Sequence, residues 1–413
     1  MTAPSREDCA ALDRRDPLAR YRDHFLLPEG IIYLDGNSLG ALPKAAPETL
    51  STVLREEWGK GLIRSWTRAG WIAAPERLGD RLAPLIGAAP GEVVVTDSTS
   101  VNLFKLVVGA LRLRPGRRLV LSEGGNFPTD LYVAQGAIEV LGRGHELRLV
   151  EAGEVEAALS DEVALVMLSH VDFKTAAVHD MAALTQAAHR AGALMLWDLA
   201  HSAGALKVEL GRAGADLAVG CGYKFLNGGP GAPAFLFVAE RLQAELEPVL
   251  TGWMGHARPF DFATDYAPAP GIRRHLCGTP PILSLAALEA ALELWREVDL
   301  SQVRRKSIAL GELFIGLVEA RCRGLGFVLA SPREGSARGS QVSFRHAQGY
   351  AITQALIARG VIGDFRTPDL LRFGFAPLYT RYVDLWDAVE ALAEIMASGA
   401  WDKPEFRERA FVT

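Results

Sequence analysis

Between about residues 90 and 240, short β-branched apolar runs alternate with longer stretches of helical periodicity, the pattern of parallel strands joined by crossover helices. Seven strands are predicted, at GEVVVTD (91–97), RRLVLSE (117–123), HELRLVE (145–151), ALVMLSH (164–170), ALMLWDL (193–199), DLAVGCG (216–222) and APAFLFV (232–238). Helical segments such as TSVNLFKLVVGALR and DMAALTQAAHRAGA lie between them, the second opening on Asp180 as its N-cap and closing near Gly192. The fold class is α/β: a doubly wound large domain with a mostly parallel seven-stranded sheet, whose ligands belong at the carboxyl ends of the strands. After about residue 250 the pattern changes to a loop, a long helix from about Ser284, and a smaller α+β portion. That portion has strands at GSQVSFRH and LLRFGFAP around a helix at GYAITQALIARG. The expected organisation is an N-terminal segment over 1–60 with no clear domain, a large α/β domain over 61–255, and an interdomain helix with a small C-terminal domain over 256–413.

Composition narrows the function classes. The 413 residues suffice for two to three domains of about 150 residues each, and 49% hydrophobic with 23% charged residues is ordinary globular usage. A net charge of −5 with no long run of either sign argues against nucleic-acid and anionic-membrane partners. The longest uncharged stretch, Phe225 to Ala239, is fifteen residues and carries three glycines and two prolines, whereas a spanning helix needs about 20 apolar residues. The charged N-terminus lacks the apolar centre of a secretory signal. Cys9, Cys221, Cys277 and Cys322 form no CxxC pair, which predicts reduced thiols and a cytoplasmic location. The nine histidines show no HExxH or close His/Cys spacing, so no catalytic metal is expected.

Lysine is scarce, eight against thirty-six arginines, and seven of the eight stand in surface-like contexts. The exception is Lys224, which follows the apolar run DLAVGCG and precedes the glycine-rich LNGGPG. Desolvation at the exit of a buried strand would free its amine as a nucleophile toward an aldehyde, although a snorkelling lysine at a strand end shows the same local pattern. In LMLWDLAHSAGA a strand ends in Asp198, with His201 three residues later. A carboxylate there would keep a heteroaromatic nitrogen protonated; equally, Asp198 could be a helix N-cap. Together with Lys224 the pair suits pyridoxal phosphate, an aldehyde for the lysine and a pyridinium for the aspartate. TDSTSVNLFKL sets Ser98, Thr99 and Ser100 where a helix begins, a phosphate site or a plain cap. GGNFPTDLY offers Phe127, to stack on a flat ring or to staple its helix, with Asp130 close by.

The motifs DGNSLG, GLIRSW, STSVNLFK, NFPTD, WDLAHSAGA, GYKFLNGGPG, GWMGH, CGTPP and RFGFAPLY, spread from Tyr33 to Tyr382, resemble the kynureninase family of fold-type-I, aspartate-aminotransferase-like pyridoxal 5'-phosphate enzymes. The resemblance implies that Lys224 holds the cofactor, Asp198 faces its ring nitrogen, His201 supports the ring, Phe127 stacks on it, and Asp130 and Ser169 belong to its pocket. Thr99, Ser100 and Tyr223 are implied at the phosphate, with Tyr223 also a proton carrier. Trp253 and Thr279 are implied to reach the phosphate across a dimer interface, hence a homodimer with shared active sites; Thr279 stands where some relatives carry asparagine. Arg372 is implied to bind the substrate α-carboxylate, and Ser38, Trp66 and Gly278 to line the aromatic end of the substrate pocket. The implied reaction is hydrolytic Cβ–Cγ cleavage of L-kynurenine, or of its 3-hydroxy form, to an anthranilate and L-alanine in tryptophan degradation. Three rivals are a cysteine desulfurase, which needs a nucleophilic cysteine on a mobile loop of the smaller domain although none follows Cys322, an aminotransferase, which shares the early cofactor chemistry and is separated only by a substrate assay, and a non-catalytic scaffold, opposed by the joint presence of Lys224, Asp198 and Arg372.

Overall fold

A computed structural model describes residues 4–409; residues 1–3 and 410–413 of the expected N- and C-terminal spans lie outside the described residues. The seven expected strands all form: β1 (Val93–Val95), β2 (Leu119–Glu123), β3 (Glu146–Val150), β4 (Val163–Ser169), β5 (Leu194–Asp198), β6 (Leu217–Gly220) and β7 (Phe235–Val238), in spatial order β1-β7-β6-β5-β4-β2-β3. The five from β2 to β6 are parallel, and β7 runs antiparallel to both of its neighbours. The link from β6 to β7 holds no helix to carry the chain back across the sheet, so β7 returns in the opposite sense.

Every residue of β5 and all but the last of β4 are buried, because helices cover both faces. Alternate residues feed two cores: Val166, Leu168, Met195 and Trp197 on one face, Leu165, Met167, Leu194 and Leu196 on the other. Helix α1 (Thr99–Leu113) and helix α2 (Pro128–Leu141) follow β1 and β2, and α3 (Met181–Arg190) opens on the expected Asp180 cap, whose carboxylate accepts from Ala183 N at 3.0 Å.

The long helix expected from about Ser284 is two helices, α4 (Ile282–Trp295) and α5 (Leu300–Arg321), the second capped by Asp299. A second, antiparallel sheet contains β8 (Val328–Leu329), β9 (Gln341–Arg345), β10 (Asp364–Arg366) and β11 (Leu370–Gly374) in the order β8-β9-β11-β10. Strands β9 and β11 match the sequence reading, whereas three-residue β10 and two-residue β8 are too short to show a period. The N-terminal segment is shared between both cores. Ile32–Tyr33 pair in parallel with Val361–Ile362 and Leu34 enters the core of the second sheet, while Leu18, Tyr21, Phe25 and Ala41 pack into the large-sheet core.

The surface-like placing of seven lysines is corrected for two of them. Lys105 and Lys306 are buried, and each is paired with a carboxylate that compensates its charge, Asp97 eight residues before the first and Asp16 near the other end of the sequence for the second. Lys105 Nζ meets Asp97 and the His275 carbonyl; Lys306 Nζ lies 2.6 Å from Asp16 Oδ2 and 2.6 Å from the Pro377 carbonyl oxygen. Removing one partner of such a pair strands the other charge. Asp16→Ala is therefore expected to destabilise the protein by about 3–5 kcal/mol, and Asp16→Ala with Lys306→Met by much less. Thermal midpoints of the two variants check this; an Asp16→Ala midpoint equal to wild type would contradict it.

Candidate active site

Asp198 ends β5 and pairs in register with Ser169, the last residue of β4, which places both at the carboxyl edge of the sheet. The Asp198 carboxylate is 5% exposed and accepts from Ala200 N at 2.7 Å. Asp130, in the first turn of α2 and 1% exposed, hydrogen-bonds to Asp198 side chain to side chain, and its Oδ2 finds no donor. Two buried carboxyl groups in contact cannot both be ionised cheaply. Burial, then the Asp198 charge, holds the Asp130 carboxyl well above the usual carboxylate range. Burial raises Asp198 as well, but the Lys224 charge and the Ala200 N–H oppose it, so Asp130 is the group that keeps the proton.

Lys224 Nζ lies 2.9 Å from His201 Nε2, 6.0 Å from the Phe127 ring centroid and 5.9 Å from that of Tyr223. Burial, and then the charge of Lys224, drives His201 far below its ordinary range, so its imidazole is neutral. Burial likewise keeps the Tyr223 hydroxyl protonated, above the ordinary phenol range. The turn carrying Lys224 is held by the DGNSLG loop: Gly40 N donates to the Tyr223 carbonyl at 2.8 Å, and a Cβ on Gly40 would stand 2.2 Å from the Lys224 carbonyl oxygen. Only glycine allows that approach.

Phe127 precedes α2 with 39% of its surface open, one edge against Phe173 at 5.1 Å and 84°. Asn126 Oδ1 accepts from Phe127 N at 2.8 Å and from Ser169 Oγ at 2.6 Å, fixing the ring and the strand end together. The sequence reading passed over Asn126, although it opens the NFPTD motif. Ser98 caps α1, its Oγ accepting from Val101 N at 3.3 Å. Thr99 and Ser100, in the first turn, line a cavity of about 630 Å³ with Tyr223, Ser38, Gly278 and Thr279. An anion fits there, against free N–H groups at a helix start. Trp253 and Trp66 do not line it: Trp253 stands in a separate hollow with its ring edge-on to Phe260 at 5.8 Å, and Trp66 packs edge-on to Trp71 at 5.8 Å.

Arg372, in β11, is 2% exposed. Its Nε donates to Asp364 Oδ1 at 2.7 Å, its Nη2 to Asp364 Oδ2 and to Ser38 Oγ at 3.3 Å, and its Nη1 to the Phe173 carbonyl at 2.5 Å. The side edge of the guanidinium is thus already gripped by Asp364, and Ser38 and the Phe173 carbonyl take one further hydrogen each, which leaves one Nη1 hydrogen for a ligand. Asp364 lay outside the sequence reading because nothing marked the three-residue strand that carries it.

A family profile described as the kynureninase C-terminal domain matches residues 303–392. The chain is 56% identical to the kynureninase of Burkholderia pseudomallei (strain 1106a) and 54% identical to that of Pseudomonas fluorescens, in each case over 99% of this chain and 100% of the relative. Among solved structures it is similar to the cysteine desulfurase CsdA of Escherichia coli (TM-score 0.74, 21% identical, 92% of this chain and 98% of that one). It is similar also to a C-DES variant with glycine covalently linked to its PLP cofactor (TM-score 0.75, 20% identical, 90% and 99%). These structures share the fold, a fold-type-I one, at low identity, whereas the full-length relatives are more than half identical. At that identity over the full length of both chains, the chain belongs to the kynureninase family.

Proposed function

We propose that this chain is a kynureninase, which with pyridoxal 5'-phosphate hydrolyses the Cβ–Cγ bond of L-kynurenine to anthranilate and L-alanine. The observation that carries this reading is the buried Asp130–Asp198 pair beside Lys224. An orphaned carboxyl oxygen and a carboxylate want a cationic N–H, and the lysine offers an amine within the same space. The open face of Phe127 suits a flat ring, and the start of α1 suits a phosphate.

Bound there, pyridoxal phosphate supplies an aldehyde that links to amines and a cationic ring that stabilises negative charge on the carbons beside the linked nitrogen. Asp198 accepts the ring N–H and keeps that nitrogen protonated, its charge maintained because Asp130 retains the shared proton. Lys224 Nζ is the amine that would hold the cofactor's aldehyde carbon, and as a free amine it would take the Cα proton of the substrate. His201, neutral and 2.9 Å from that nitrogen, accepts a hydrogen bond from it and so orients it. Tyr223, protonated and at the cavity wall, carries protons in the later steps. Arg372 has one Nη1 hydrogen left for the α-carboxylate, next to Ser38, which lines the cavity together with Gly278.

The desulfurase alternative lacks a nucleophile. Cys322 is buried at the end of α5, and burial pushes its thiol up to about 11. Trp253, outside this chain's own cavity, serves the site of a second copy in a homodimer, as the resemblance implies for it and for Thr279, which here lines this chain's own cavity; the exposed Trp58, Ile63, Phe260 and Phe262 supply apolar surface for such a contact. Four unpaired thiols support a reducing, cytoplasmic setting. Among the described residues no helix is long and apolar enough to cross a membrane.

The purified protein is expected to be yellow and to release fluorescent anthranilate from L-kynurenine, with both properties lost in Lys224→Ala. A yellow protein that makes no anthranilate would keep the cofactor and refute the reaction. Mixing and reassociating Lys224→Ala with Trp253→Ala, each inactive alone, is expected to restore part of the activity, since a mixed dimer holds one site with both residues intact. Two inactive parents whose mixed dimers stay inactive would place Trp253 in its own chain's site.

A further inference from the structure

We propose that Asp35 is a proton-linked positioning residue of the carboxylate pocket, taking up a proton when the substrate's α-carboxylate binds at Arg372. The inference deepens the proposed function and rests on the assignment of Arg372.

Four charged side chains meet where the DGNSLG loop crosses the second sheet. Arg372 holds Asp364 by two bonds, Arg366 Nη2 lies 2.7 Å from Asp364 Oδ2, and Ser38 Oγ donates to the same oxygen at 3.0 Å. Asp35 joins through its side-chain hydrogen bond to Ser38, and its buried Oδ1 has no partner. Asp364 is 2% exposed, so its charge is spent on both guanidinium groups. With both carboxyls ionised the cluster is neutral, two guanidinium groups against two carboxylates. A third carboxylate, the substrate's, would then leave one uncompensated negative charge in a site largely closed to water. A neutral Asp35 restores the balance.

The groups facing Asp35 from every side agree with this. Asp364, from β10, repels its charge; Arg372 and Arg366 attract it, but both are committed to Asp364. Tyr33 and Tyr379, the remaining ionisable neighbours, are held neutral because burial raises both hydroxyls far above the ordinary phenol range. Burial, then Asp364, pushes Asp35 up to about 7, so its proton is exchangeable at neutral pH. The sign is that of a raised carboxyl: the proton is present below the shifted value and lost above it, and carboxylate affinity goes with it.

The test uses the holoenzyme, with L-kynurenine as substrate and L-alanine as binding probe. In wild type KM is expected to rise by up to about tenfold per pH unit above 7 with little matching change in kcat. Asp35→Asn, permanently neutral, is expected to hold the low-pH KM across the range, and Asp35→Glu to restore the slope. Infrared difference spectra of wild type with L-alanine are expected to gain the carbonyl stretch of a protonated carboxyl, absent in Asp35→Asn. No such band in wild type, or a band or KM slope that Asp35→Asn retains, would overturn the proposal. Failure of the underlying assignment would look different: Arg372→Gln would bind L-alanine as tightly as wild type.

Discussion

Charge withdrawn from water must be balanced within hydrogen-bonding reach, and that requirement organises the carboxyl edge of the large sheet. Asp198 brings a carboxylate to a position closed to solvent because β5 is buried along its whole length. Burial and then its charge leave the proton on Asp130, while burial and then the charge of Lys224 keep His201 neutral. The same rule acts at the other carboxylate–guanidinium cluster, where Asp364 serves two arginines and Asp35 is left with the variable proton.

The two clusters are joined mechanically as well. Phe173 lies between them: its carbonyl accepts from Arg372 Nη1 and from Gln341 Nε2, and its ring meets the edge of Phe127. The DGNSLG loop makes a second link, Gly40 against the Lys224 turn and Asp35 bridged to Gly374 at the end of β11. A displacement of the second sheet therefore moves Arg372 and, through Phe173, presses on Phe127.

What could be read from sequence followed burial and length. The strands of the large sheet stand out because both faces are covered, which writes them as continuous apolar runs, and Asp198, at the end of one such run, stands at the sheet edge where the run predicts it. The direction of β7 could not be read, since a run of Phe, Leu and Val carries no sense of direction. Nor could the burial of Lys306, whose carboxylate stands at the opposite end of the chain. Asp364 escaped for a related reason: what marks it is Arg372 across a two-strand register, and β10 is too brief to announce itself. Motif resemblance supplied roles that local pattern left open, as with Phe127, whose exposure and edge contact fit stacking but do not dictate it.

The parallel pairing of Ile32–Tyr33 with Val361–Ile362 and the bridge from Asp35 to Gly374 join the two extremes of the chain. During synthesis the large sheet, with Lys224, Asp198 and the start of α1, has all its strands once β7 has left the ribosome. Gly40 of the DGNSLG loop finds Tyr223 by then, but Asp35 must wait for its partner until β11 has followed. Assembly is thus ordered in time: the large sheet has its strands first, and the cluster around Arg372 closes only after β10 and β11 have been made.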